Sequence, residues 1–370
     1  MTSDARPTGF TPGRVALASV GAWLVVLIVG GAWLAIDASQ PGNPLSASRA
    51  TFHATSIATL TGFRVSWAPT SLAAGLMTLA ATSATWCFLA ATLCQLVNAR
   101  VSSLLVALNV GVPWAAAALL LFAVEDPSVA VAVVGSSGFV TETAQLSTIL
   151  VWFLVLPAGL VGPLVPLLLT TLLTRRSDRQ TVDQSPPAQP VGLNRQLSWT
   201  LFATALLLLV TLPTSVLFDR SVLTLDLLGA GLLDSADGLG TTRRWVIVPL
   251  LLVSAVGPTM LLLVIVGIIS MLRSRTSTVA GIAMIGVVSM VALFAATFIA
   301  LTATNPQVSD ATNAHLAAAA VATNAGSFTL PTIAGTEAWV LSGAMLAGHA
   351  LPLAILWWAA TRRGATVVPY

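Results

Sequence analysis

Charge is what this sequence of 370 residues has least of: 8% of it is charged, and lysine is absent altogether. A water-soluble domain carries about 25% charged residues to dress its surface. A chain with 56% hydrophobic residues and a mean hydropathy of +0.91 turns its surface to something other than water. Soluble enzyme classes are excluded on that ground. Cysteine is scarce as well, and Cys87 and Cys94 lie in one apolar run, where they supply neither a disulfide framework nor a ligand cluster. His53, His315 and His349 stand far apart with no Cys, Asp or Glu at ligand spacing, so no zinc site is expected. The GSSGF run has the wrong spacing for a G-x-S-x-G nucleophile elbow. The glycine pair Gly229 and Gly231 lacks the strand and helix that a dinucleotide fingerprint needs. Neither an enzymatic activity nor a bound cofactor is expected. The arginines flank apolar segments and act as topology signals, not as a nucleic-acid surface.

Long apolar runs are what the chain does have. Stretches of about 20 residues that can span a bilayer occur at 15–36, 71–95, 102–124, 146–173, 197–218, 245–272, 278–302 and 336–360. The one acid in them, Glu337, sits at the start of the last, as expected when a mid-bilayer charge costs about 2.5–3.5 kcal/mol. Without interior carboxylates, a proton relay is not expected. Met1 to Pro12 is polar and precedes the first run without a small-residue cleavage site, which predicts a retained helix, not a signal peptide. The links alternate in charge. Those on the side of both termini hold eleven arginines and three acids; the opposite links hold five arginines and ten acids. Basic residues stay inside, so a multi-pass plasma-membrane protein with cytoplasmic N- and C-termini is expected.

Every outer link is long and contains an apolar, Ala/Thr/Ser-rich stretch too short to span, followed by a glycine: 48–60 before Gly62, 127–136 before Gly138, 222–236 before Gly240, and 311–323 before Gly326. Such a stretch reads as a re-entrant half-helix and loop. The pattern is therefore helix, re-entrant loop, helix, in four repeats of about 90 residues. They cover 15–95, 102–173, 197–272 and 278–360, with a cytoplasmic linker at 174–196 whose SPPAQP run marks a flexible strap. The expected fold is an all-α integral membrane pore domain spanning 1–370. It has eight transmembrane helices and four re-entrant pore loops around a pseudo-fourfold axis. Eight helices with ordinary outer loops are the plainer alternative.

A pore selects a bare cation by replacing its hydration shell with backbone carbonyls. Glycine permits the positive φ that turns successive carbonyls toward an axis, and the half-helix before it points its negative end at the ion. One glycine in each loop suits that chemistry, although with 27 glycines in the chain any single one reads as a turn.

The residues in these loops resemble a known family. FHATSIATLTGF, Phe52 to Phe63, is similar to the first pore loop of the Trk/Ktr/HKT potassium transporters, whose pattern runs close to F-x-A-x-S-A-x-x-V-T-G-[LF]. GSSGF, Gly135 to Phe139, resembles that family's asparagine-alanine-glycine-phenylalanine filter, and GLVGPLV, Gly159 to Val165, its following G-G-L-G-F-P-V helix. SADGLGTT, Ser235 to Thr242, keeps the Ser-Ala opening and the glycine four residues beyond the alanine. ATNAGSFTLP, Ala322 to Pro331, with MLAGHALP, Met345 to Pro352, resembles the last filter and its M-x-x-G-R-x-G-P helix. The resemblance implies a carbonyl-lined filter at Thr61 and Gly62, Ser137 and Gly138, Leu239 and Gly240, and Ala325 and Gly326. It also implies a homodimer and a separate cytoplasmic nucleotide-binding subunit that gates the pore. The expected function is uptake of a monovalent cation, potassium foremost and sodium second, with no other metal.

Some positions depart from the family. His349 stands where the family has a basic residue in its last helix. Its expected role is either a neutral imidazole bonded to a neighbouring helix or a part of the pore below the filter. The sixth helix lacks a glycine-rich gate loop, having SAVGPT at Ser254 to Thr259. The third filter lacks an aromatic after its glycine, and Arg64, Arg243 and Arg244 lie close beyond filter residues, with Asp234, Asp237 and Glu142 available to neutralise them. These departures leave a second expectation open: a non-conducting relative that serves as a structural or sensory membrane partner.

Overall fold

The computed structural model describes residues 9–37, 47–61, 72–96, 99–123, 165–166, 168–170, 172–173, 278–304, 314, 317–319, 321–322 and 335–366. Among them the backbone is helical, with no strand and one isolated antiparallel bridge, Phe10 to Val101. The helices are α1 (Pro12–Asp37), α2 (Ala47–Ala58), α3 (Leu72–Leu96), α4 (Ser103–Ala123), α5 (Thr278–Thr304) and α6 (Thr336–Thr366). Five of these stand on apolar runs read from the sequence; the runs at 197–218 and 245–272, and the linker at 174–196, lie outside the described residues. The short buried α2 stands on the first stretch read as a half-helix, and helical residues at 314, 317–319 and 321–322 fall within the fourth. The second and third such stretches lie outside the described residues.

Helix α1 opens with Pro12, whose missing N–H is no loss in a first turn, and the Thr11 carbonyl accepts from Arg14 N at 3.0 Å. It is apolar on every side. Leu17 is 75% and Ile28 68% exposed, a face that water would not tolerate over such a length and that lipid covers. Three helical stretches are long and apolar enough to cross a membrane, Pro12–Trp33, Gly75–Gln95 and Thr336–Thr361, the mark of a membrane-embedded chain. Ser103–Ala118 and Val288–Thr304 are shorter apolar helices. Hydroxyls inside these helices bond back to the carbonyl four residues earlier, as Ser19 does to Val15 at 2.8 Å and Thr92 to Phe88 at 2.8 Å. A polar side chain thereby crosses an apolar layer satisfied.

Small residues set the packing. Helix α1 lies against α2 and α3, α4 against α3, and α6 against α2, α3 and α5. Gly30 lets α1 approach Met77 of α3, and Gly31 faces Ala54 of α2. One core cluster joins Val15 and Ala16 of α1, Cys87, Ala91 and Cys94 of α3, and Val101 and Leu105 before and in α4, with Leu169, Leu173 and Trp357 packed on it. The start of α1, the end of α3, the start of α4 and the end region of α6 therefore share one end of the molecule. Phe10 and Val101 exchange backbone bonds there, at 2.8 and 3.0 Å.

Two prolines interrupt the helical ladders. Pro113 in α4 gives no N–H to the carbonyl of Asn109, four residues back. Beside that gap Ser83 of α3 donates to the Val110 carbonyl at 3.3 Å and accepts from Trp114 Nε1 at 3.2 Å. Pro352 does the same to Gly348 in α6. Gly348 is also where the fourth short segment comes closest: a Cβ there would sit 2.7 Å from the carbonyl oxygens of both Val321 and Ala322.

Gly348→Ala and Gly30→Ala should therefore differ. At 348 the added methyl meets backbone that must shift, at about 1–3 kcal/mol for overpacking; at 30 it meets the flexible end of Met77. Melting in neutral detergent should show Gly348→Ala several degrees below wild type and Gly30→Ala close to it. The reverse order would mean that α6 and the 314–322 segment are not in close contact.

Candidate functional site

The chemistry of the described residues gathers at the carbonyl end of α2. This helix is short, and Ser48, Ala50 and residues 52 to 58 are all buried. A helix leaves its last four carbonyls without N–H partners, and inside a membrane no water takes their place. Here each of them has a donor. Thr59 N donates to Thr55 at 2.9 Å, Leu60 N to Ile57 at 3.1 Å and Thr61 N to Ser56 at 3.0 Å. The last two are the paired bonds of a Schellman turn, which needs a left-handed residue just past the helix. That residue is Leu60, at φ +60°, where a non-glycine pays about 1–2 kcal/mol. Gly62, where the sequence suggests a filter turn, lies outside the described residues; the left-handed residue that closes α2 is Leu60.

The next two carbonyls point away from α2 and are met by aromatic rings of other helices. Trp23 Nε1 of α1 donates to the Ala58 carbonyl at 2.6 Å. His349 of α6 makes a backbone hydrogen bond to Thr59. Since the Thr59 N–H is already given to Thr55, the group that His349 meets is the carbonyl. The Trp23 and His349 rings stack, with centroids 5.4 Å apart and planes 9° from parallel. Thr85 of α3 brings its Oγ1 to 3.5 Å from His349 Nε2. Three helices thus converge on one helix end through two stacked rings. A cavity of about 300 Å³ opens beside them, with Thr85, Phe88, Leu353 and Trp357 in its walls.

The carbonyls from Ser56 to Thr59 thus all accept hydrogen bonds. Thr61 is fully buried. Its hydroxyl lies 2.6 Å from that of Thr59; as Thr59 gives its own proton to the Thr55 carbonyl at 2.7 Å, Thr61 is the donor between them. A threonine pair so fixed holds the backbone after α2 in one conformation.

Of the positions read as a filter, the described residues include Thr61 alone; Gly62, Ser137, Gly138, Leu239, Gly240, Ala325 and Gly326 lie outside them. His349 is described, and it sits between helices, bonded to the turn that carries Thr61. Sequence reasoning missed Trp23. Its signal was a tryptophan in the middle of an apolar run, far from the interfacial belt where that residue usually anchors. Among the described residues no group of three or more metal-ligating side chains forms.

No protein-family model matches the chain, and no curated protein matches it.

The capping arrangement has measurable consequences. Trp23→Phe keeps the ring and removes the N–H, leaving the Ala58 carbonyl buried without its donor, at a cost of about 1–3 kcal/mol; the melting temperature should fall although the apolar packing is kept. At the turn, Leu60→Gly should hold or raise stability because it relieves the left-handed strain, whereas Leu60→Val, β-branched at positive φ, should lower it. Equal melting of the two Leu60 variants would refute the strained turn.

Proposed function

We propose that this chain carries a monovalent cation, potassium foremost, across the membrane through a pore whose selectivity filter is built from backbone carbonyls of four loops. The observation that carries the proposal is the buried α2 with its closed carbonyl end. It leads the chain to Thr61 and then Gly62, at the position where the FHATSIATLTGF motif resembles a potassium-transporter pore loop. A rigid, fully bonded turn suits ion selection, since carbonyls that replace a hydration shell gain from being held in place before the ion arrives. The close approach of Gly348 to the Val321 and Ala322 carbonyls, shortly before Ala325 and Gly326 in sequence, supports a similar arrangement for the fourth loop.

In this proposal Thr61 and Gly62, Ser137 and Gly138, Leu239 and Gly240, and Ala325 and Gly326 supply the filter carbonyls. His349 acts as a positioning residue for the first loop. The driving force is electrical: an inside-negative potential supplies about 2.3 kcal/mol per charge per 100 mV. The acid-rich links, with ten acids against five arginines, would face outward and concentrate cations at the mouth. A homodimer and a cytoplasmic nucleotide-binding regulatory subunit belong to the same proposal through the family resemblance alone.

Growth of a potassium-uptake-deficient bacterium on limiting potassium tests it, with wild type and Gly62→Asp expressed side by side and membrane levels measured. Wild type is expected to restore growth and Gly62→Asp to fail at equal expression. Growth restored equally by both would overturn the filter at Gly62, and restoration by neither would favour the structural or sensory partner.

A further inference from the structure

A second groove adjoins the first, sharing Ser19 and Ala84 with it, and lies between α1, α3 and α4 with a volume of about 570 Å³. Its walls are apolar and cut from small residues, Ala18 and Ala22 on α1 and Ala80 on α3, with Val110 and Trp114 of α4 opposite. The hydroxyl of Ser83 in its wall is engaged by Trp114 and by the Val110 carbonyl. Arg14 lines the groove at the first turn of α1 and is exposed. Arg100 stands at the same end, reaching the Gly9 carbonyl at 3.4 Å beside the Phe10 to Val101 bridge. Among the described residues no acid stands beside Arg14: neither α1 nor α4 has one in its first turn. Asp37 ends α1, and Glu337 begins α6 at the end away from Trp357.

We propose that this groove seats an anionic phospholipid, its phosphate at Arg14 and an acyl chain along the alanine-lined walls. The occupant follows from the two parts of the site. A free anion would meet the arginine and leave the apolar length uncovered; a neutral chain would fill the length and leave the arginine without a counter-charge. A membrane lipid with an anionic head matches both, and basic residues at the end of a groove between membrane helices are suited to such heads. The volume lies within the range of ligand sites, roughly 300–1,000 Å³. Exposed Phe10, at 50%, lines the groove at its arginine end, and Trp114, at 38%, lines it midway along α4. This site does not depend on whether the pore conducts.

The full-length chain purified in neutral detergent tests the assignment by native mass spectrometry and thermal shift. The probes are phosphatidylglycerol, phosphatidylcholine of the same acyl chains, and inorganic phosphate. Wild type is expected to retain phosphatidylglycerol about fivefold over phosphatidylcholine. Arg14→Gln should lose that preference. Ala18→Phe, which fills the groove from an exposed position without touching the charge, should lose retention of both lipids while keeping its fold. Equal retention of the two lipids by wild type would overturn the proposal. So would lipid retention unchanged in Ala18→Phe, or a thermal shift reproduced by inorganic phosphate alone.

Discussion

A backbone carbonyl in hydrocarbon has no water to turn to, and the described architecture follows from that constraint. Long helices satisfy it internally. A short helix ending inside the protein cannot, and α2 is such a helix. Its end is closed by a Schellman turn through Leu60 and by two ring donors from α1 and α6. The turn satisfies two carbonyls, each of which would cost about 1–3 kcal/mol if orphaned, against about 1–2 kcal/mol for one left-handed leucine, which is why it persists without a glycine at its apex.

The same constraint explains why α1, α3 and α6 come together where they do. Trp23 and His349 reach the carbonyl end of α2 only if their helices flank it, and the stacked rings fix the two helices relative to each other. Small residues then let the backbones close. Gly30 and Gly31 bring α1 onto α3 and α2, and Gly348 admits the carbonyls of Val321 and Ala322. Gly348 and His349, adjacent in sequence, thus meet the backbone of two segments far apart in the chain, at Val321 and Ala322 and at Thr59. At the same level Pro352 gives no N–H to the Gly348 carbonyl.

Charge organises what packing does not. The clustering of the α1 start, the α3 end and the α4 start puts Arg14 and Arg100 at one end of the molecule, on the side where the arginine-rich links were expected. An exposed arginine at the end of an apolar groove is at ease beside an anionic lipid headgroup, so the proposed lipid site and the topology signal would share one physical origin.

Membrane embedding and the helical class were legible in the sequence because both rest on composition and on run length, which need no partner to be read. The ranges of α1, α3, α4, α5 and α6 follow from apolar runs, and α2 from a run too short to span ahead of a glycine. Only the tertiary structure decided how α2 ends. The left-handed residue that closes it is Leu60, since a helix-ending turn is chosen by which carbonyls must be satisfied and not by residue preference alone. His349 in the sequence was an ionisable group in an apolar run with two readings. Its hydrogen bond to Thr59 and its stack on Trp23 depend on helices brought together from 290 and 326 positions apart. No local pattern encodes such a meeting. It is decided by which backbone groups remain without partners once the helices have formed.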